Sequence, residues 1–127
     1  MPDDPPKSLK IERLRHRPDF LHCARSFRKV TPGLSLEAAA TPPKFAQART
    51  ARIGFTATKK IGGAVERNRA KRRLRAAAAA LLPLYGLTGS DYVLVARAGT
   101  LTRPFADLLE DLAGALKAAR AKLAKEP

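Results

Sequence analysis

The chain has 127 residues, enough for one domain, and its hydrophobic share of 45% argues against wholesale disorder. Its 25 lysines and arginines exceed its 11 acids, so the formal net charge is +14. Such a one-sided charge indicates a polyanion or an anionic membrane as partner. The single cysteine excludes an internal disulfide. No signal-peptide pattern and no apolar run long enough to span a bilayer are seen, so we expect a cytoplasmic protein.

The amino-terminal half predicts a tail, a helix and a strand. Residues 1–8 contain three of the ten prolines and are expected to form a disordered tail. A first helix is predicted over Pro18–Arg28, because apolar residues recur there at helical spacing: Phe20, Leu21, Ala24 and Phe27. A strand is predicted at Leu34–Ala40 and a loop at Thr41–Thr50.

The carboxyl-terminal half alternates strands with helices. Ala51–Thr58 has the alternation of a half-buried strand, and a long helix should run from Ala64 until Pro83 ends it. Tyr92–Ala96 is apolar throughout, as expected for a strand buried on both faces. A last helix is predicted over Pro104–Lys122. The fold class is therefore α+β, with three helices packed against a small sheet.

The segment Lys59–Arg75 concentrates the charge, since eight of its 17 residues are Lys or Arg and Glu66 is its only acid. At about 100° per residue, one face of the predicted helix is apolar, formed by Ala70, Leu74, Ala77 and Leu81. The opposite face holds Asn68, Arg72 and Arg75, with Arg69 and Lys71 on its flanks. Arginine grips phosphate through a planar fork of donors, so this face is a candidate nucleic-acid surface.

The stretch from Arg52 to Arg75, RIGFTATKKIGGAVERNRAKRRLR, resembles the signature of the bacterial ribonuclease P protein subunit. In that family a strand leads through a Lys-Lys-Ile-Gly element into a helix with an Arg-Asn-Arg motif, here Arg67 to Arg69. Asp91–Arg97 is similar to the family's next strand, and Leu14–Leu21 to its first helix. The resemblance covers residues 9–120.

The resemblance implies an α-β-β-β-α-β-α sandwich of the kind known from ribosomal proteins, with a left-handed βαβ crossover. The RNA-binding domain would span residues 9–122, with a carboxyl-terminal tail at 123–127. The implied partners are a catalytic RNA and precursor tRNA, from which the complex removes the 5′ leader. The protein would be a subunit of this endoribonuclease and carry no catalytic residue. The RNA would hold most of the Mg²⁺, and neither a tightly protein-bound metal nor a DNA or membrane partner is expected.

The resemblance also assigns residues to two surfaces. The catalytic RNA would be contacted by Arg67, Asn68, Arg69, Lys71, Arg72 and Arg75. The 5′ leader would lie in a cleft beside the first helix, lined by Phe20, Phe27, Phe55, Lys59 and Lys60. One departure is Ala24, where the family often has a second aromatic residue, and this predicts weaker base stacking.

Three other functions are compatible with a basic, single-domain chain. The main one is another rRNA- or tRNA-binding protein, or a ribosome-assembly factor, with a similar basic helix. A peripheral membrane binder is disfavoured because the helix carries mostly alanine on its apolar face. An independent nuclease would need clustered carboxylates, for which the candidates are Asp107, Glu110 and Asp111.

Overall fold

A computed structural model describes residues 9–124. These residues form five strands, β1 (Lys10–Arg13), β2 (Phe27–Val30), β3 (Leu34–Ala40), β4 (Thr50–Thr56) and β5 (Ser90–Ala96). Four α-helices connect or follow them, α1 (Arg17–Ala24), α2 (Ala64–Tyr85), α3 (Ala98–Thr102) and α4 (Phe105–Ala124). Short 3₁₀ turns at Pro43–Phe45 and Lys59–Ile61 flank β4.

The five strands form one mixed sheet in the order β1-β4-β5-β3-β2. Strands β1, β4 and β5 are parallel to one another, whereas β3 is antiparallel to both β5 and β2. The helix α2 therefore connects two neighbouring parallel strands, β4 and β5. The predicted α+β class is confirmed, and β1 adds a strand before the expected series. The handedness of the crossover stays a prediction.

Helices cover both faces of the sheet. Alternate residues of β3 point in opposite directions, so Leu34, Leu36 and Ala38 join the main core beneath α2 and α4. Ala39 faces the other way and packs with Cys23 of α1 in a smaller core. Within residues 9–124, no helix is both long and apolar enough to cross a bilayer.

The first helix ends earlier than its apolar spacing predicts. It stops at Ala24, and the Arg25 N–H donates to the Leu21 carbonyl oxygen at 3.1 Å. Phe27 then begins β2 and pairs with Ala38 of β3. The predicted helix through Arg28 is thus wrong in its last turn, because pairing with β3 packs the Phe27 side chain against the main core, a long-range contact that overrides the local helical spacing.

The later helices also differ in their bounds from the predicted ones. Pro83 lies inside α2, which continues to Tyr85, so proline did not end it. Proline removes only its own N–H, and the exposed position of its i−4 neighbour Ala79 leaves that carbonyl accessible to water. The last helix extends through the buried Leu123 to Ala124, into the expected tail. The expected tail at residues 1–8 lies outside the described residues.

Gly54 of β4 allows α1 to lie close to the sheet. A Cβ atom placed there would come 2.5 Å from two ring carbons of Phe20. Real Cβ atoms do not approach carbon so closely, so only glycine lets the Phe20 ring rest on this strand. The position of the ring is therefore set by the absence of a side chain below it.

Replacing Gly54 with alanine should lower the free energy of unfolding by about 1–3 kcal/mol, because the new methyl group overpacks the site beneath Phe20. Urea unfolding followed by circular dichroism measures this loss. Gly114→Ala is the matched control, since a Cβ at this exposed helical position meets nothing within 4 Å. An equal loss in both variants would contradict the proposed contact.

Candidate nucleic-acid interface

The start of α2 is fixed by two glycines and one acid. Gly62 has φ of 144°, which favours glycine, and it ends the short turn after β4. The Gly63 N–H donates to Glu66 Oε1 at 2.9 Å. The only acid of the basic segment thus caps the helix.

The outer surface of α2 forms what we call the basic face, which consists of Val65, Asn68, Arg69, Arg72 and Arg75. These residues line a shallow depression of about 380 Å³. Its four polar residues are exposed, and the Val65 side chain is 76% exposed. The predicted amphipathic division of the helix is confirmed, since Ala70, Leu74 and Ala77 are buried on the opposite side.

The remaining two predicted RNA contacts lie on the flanks of the basic face. Arg67 and Lys71 are half-buried. The Arg67 Nε donates weakly to the Gly63 carbonyl oxygen at 3.4 Å, so part of this side chain stays near the start of the helix. All six predicted residues therefore lie on α2, but four of them present most of the accessible polar surface.

Arg73 differs from the other arginines of this helix because it packs inward. Its Nη2 donates to the Arg103 carbonyl oxygen, and its guanidinium lies 5.9 Å from the centre of the Phe105 ring. Arg103 in turn donates to both carboxylate oxygens of Asp111, at 2.7 and 3.0 Å. These contacts hold α2 against the start of α4.

A charged cluster joins α1 to the face of the sheet that lies opposite α2. Asp91 is fully buried and accepts hydrogen bonds from Arg52 Nε at 2.9 Å and Nη2 at 2.7 Å. The same Nη2 reaches Asp19 of α1 at 3.3 Å, and the Thr41 hydroxyl donates to Asp91 at 2.7 Å. The Phe45 ring lies 5.0 Å from the guanidinium. We call Asp19, Thr41, Arg52 and Asp91 the Arg52 cluster.

The part of this sheet face that α1 leaves open is here called the α1 cleft, lined by Phe20, Val30, Glu37, Thr56 and Val95. Strand register places Val30, Val95 and Thr56 in one row with Ser35 between the first two. Val30 is 49% exposed, and the others are half-buried. Lys59 and Lys60 are exposed and begin the 3₁₀ turn, which is separated by two residues from the end of β4 at Thr56.

The structure separates the five residues predicted for the leader cleft. Phe27 and Phe55 both pack against the main core on the α2 side of the sheet, whereas Phe20 packs on the α1 side. Placing all three in one cleft is therefore wrong, because Phe27 pairs with Ala38 and shares its inward face. The roles of Phe20, Lys59 and Lys60 stay predictions.

Phe55 instead borders a second depression at the β1 edge of the sheet. The Arg13 guanidinium lies 5.3 Å from the centre of its ring. The depression measures about 360 Å³, is mostly apolar, and is also lined by Ile11 and by Arg75 of α2. It therefore adjoins the basic face.

Several site residues were not found from the sequence. Glu37 of the α1 cleft was missed. The alternation of side chains along Leu34–Ala40 could have placed it on the opposite face of the strand from the core residues. Gly54 gave no signal of its own. Cys23 is an inert component of the α1 interface, since burial raises the pKa of its thiol to about 12.

Within residues 9–124, no group of three or more His, Cys, Asp or Glu side chains converges on a site that could hold a metal ion. Of the three α4 acids that an independent nuclease could use, Asp111 forms a salt bridge with Arg103. The acids of α4 therefore do not form the cluster of carboxylate ligands that a protein-held Mg²⁺ site would need.

Replacing Asp91 with alanine should lower the free energy of unfolding by about 3–5 kcal/mol, because Arg52 would lose its main buried counter-charge. Chemical denaturation measures this change. Glu12→Gln removes the partner of Lys10 in an exposed pair, with 3.4 Å between Lys10 Nζ and Glu12 Oε2, and should cost less than about 1 kcal/mol. A small loss for Asp91→Ala would show that the cluster does not hold the sheet face together.

Comparison with known proteins places these features in a family. The family model described as Ribonuclease P matches residues 9–120. The ribonuclease P protein component of Caulobacter vibrioides is 54% identical over 118 residues, which cover 87% of this chain and 72% of the relative. That of Paramagnetospirillum magneticum is 47% identical over 111 residues, covering 87% and 84%.

Solved structures agree with the fold. The RNase P protein from Thermotoga maritima superposes with a TM-score of 0.68 at 25% identity, covering 84% of this chain and 96% of that one. The Staphylococcus aureus RNase P protein gives a TM-score of 0.67 at 20% identity, covering 85% and 94%. From the family match, the identity to these relatives and the shared fold, the chain belongs to the ribonuclease P protein family.

Proposed function

We propose that this ribonuclease P subunit joins its RNA partner to the precursor tRNA across the two faces of its sheet. The basic face of α2 binds the catalytic RNA, and the α1 cleft holds the single-stranded 5′ leader. The observation that carries this proposal is the position of the two surfaces on opposite sides of one five-stranded sheet. A ribosome-assembly role is not favoured, since the relatives are ribonuclease P components.

The chemistry of the basic face supports binding to a folded RNA. Three arginines and one asparagine are exposed along α2, and the one nearby acid, Glu66, is turned to the helix start. Each guanidinium can donate to two phosphate oxygens at once. The amide of Asn68 both donates and accepts, which suits a 2′-hydroxyl or a base edge.

The α1 cleft supports binding to a single strand. Phe20 supplies an aromatic ring on which a base can stack, and Lys59 and Lys60 offer cations at the end of β4. Ala24 adds no second ring on α1, so electrostatic contacts contribute more than stacking does. The cleft thus combines the two features by which proteins hold unpaired nucleotides, an aromatic platform and nearby positive charge.

We further propose that hydrolysis of the phosphodiester takes place on the RNA, with Mg²⁺ held mainly by RNA phosphates, in the cytoplasm. In this assignment the protein's residues bind and orient the substrate and perform no bond-breaking step. The acidic residues within 9–124 support this assignment. No three potential metal ligands converge there, and Asp91 and Asp111 form salt bridges with arginines. Reconstituted cleavage at low Mg²⁺, with and without the protein, tests the whole proposal.

The double substitution Arg69→Ala and Arg72→Ala should flatten the salt dependence of RNA affinity. Each lost phosphate contact removes about 0.7–0.9 from the slope of log affinity against log salt. Filter binding over a salt series measures the slope. Arg120→Ala with Lys122→Ala removes the same charge from the exposed side of α4 and should leave the slope nearly unchanged. Equal changes would indicate a general charge effect.

Phe20→Ala should weaken binding of leader-bearing precursor tRNA more than binding of mature tRNA. The expected loss is about 1–3 kcal/mol for one stacked base. The Phe20→Leu variant keeps an apolar side chain over Gly54 but removes the aromatic face, so it separates stacking from packing. If both tRNAs lose affinity equally, Phe20 acts only as a core contact.

A further inference from the structure

An acidic side chain lies on the floor of the α1 cleft. In β3, the residues on either side of Glu37 belong to the main core, so Glu37 itself points to the α1 side. Strand register sets it in a row with Arg28 of β2, Val93 of β5 and Gly54 of β4, the residue beneath the Phe20 ring. An acid in this position faces a cleft that is otherwise suited to a polyanion.

The Glu37 carboxylate has no direct partner within residues 9–124. No hydrogen bond or ion pair reaches it there, even though Arg28 stands opposite on the neighbouring strand. Partial burial raises its pKa, and the charge of Arg28 offsets this only in part. Asp91 and Asp111 contrast with it, since each is held by an arginine at hydrogen-bond distance. Glu37 therefore keeps its acceptor capacity for a ligand.

The chemistry of a carboxylate restricts what can lie above it. A phosphate would be repelled, so a strand in the cleft must turn its bases, rather than its backbone, toward Glu37. An ionised carboxylate only accepts hydrogen bonds. Adenine, cytosine and guanine offer an exocyclic amino group, whereas uracil flanks its single N–H with two carbonyl oxygens that a carboxylate repels.

The distance to Phe20 suits one nucleotide. Gly54 and Glu37 are separated by two strand spacings, or about 10 Å. A base stacked near the Phe20 ring can therefore extend its polar edge toward the carboxylate. We propose that Glu37 is a specificity-determining residue that accepts a hydrogen bond from the amino group of one leader base and disfavours uracil at that position. This inference rests on the proposed function, in which the cleft holds the leader.

The test uses the protein reconstituted with its cognate RNA and precursor tRNAs in which each leader position is changed in turn to A, C, G or U. At one position, uracil should bind roughly 5- to 100-fold more weakly than the other bases. Glu37→Gln supplies an amide that can donate to a uracil carbonyl, so this preference should disappear. Glu110→Gln removes an equal charge from the exposed surface of α4 and should retain the preference.

The outcomes separate this inference from the proposed function. If removal of the entire leader leaves affinity unchanged, the leader-binding role of the cleft fails. If the leader contributes to affinity but Glu37→Gln leaves the base preference intact, the inference about Glu37 is overturned and the cleft stands. An equal gain for every leader in Glu37→Gln also overturns it, because the acid would then only repel the backbone. Thermal unfolding of each variant verifies that it is folded.

Discussion

The carboxylate of Asp91 is fully buried within the sheet, and its charge has to be matched there because water cannot reach it. Arg52 matches it with two hydrogen bonds from the neighbouring strand and extends the same guanidinium to Asp19. Since Asp19 immediately precedes Phe20, this contact sets where α1 meets the sheet. The placement of α1 on the sheet thus depends on this half-buried arginine, together with Gly54, on which the Phe20 ring rests.

The charges on the basic face of α2, unlike those of the Arg52 cluster, are not paired with opposite charges. Where the Arg52 cluster matches opposite charges closely, the basic face holds several cations together with no acid among them. Glu66 lies in the first turn but serves the cap of Gly63. Mutual repulsion among the arginines costs stability that a bound polyanion restores, so the folded state and RNA binding should reinforce each other.

The sequence predicts most elements and the face of α2 because helical and strand periods are local properties. The basic face follows from a 100° rotation per residue, and Leu34–Ala40 is a strand with the predicted bounds. The Arg52 cluster joins residues 33 and 39 positions apart, which no local pattern reports. Phe27 was misplaced for a related reason: its spacing from Phe20 fits a helix, but pairing with β3 determines its conformation.

The five-stranded sheet also affects how the basic face and the α1 cleft can evolve, because it lies between them. The basic face and the α1 cleft share no residue, and the layer between them is closely packed backbone with short side chains such as Ala38 and Ala39. A substitution that adapts one surface to an altered RNA need not disturb the other. Under the proposed function, leader binding and RNA binding can therefore vary independently, and exchanging α1-side residues between related proteins should transfer leader preference without transferring the choice of RNA partner.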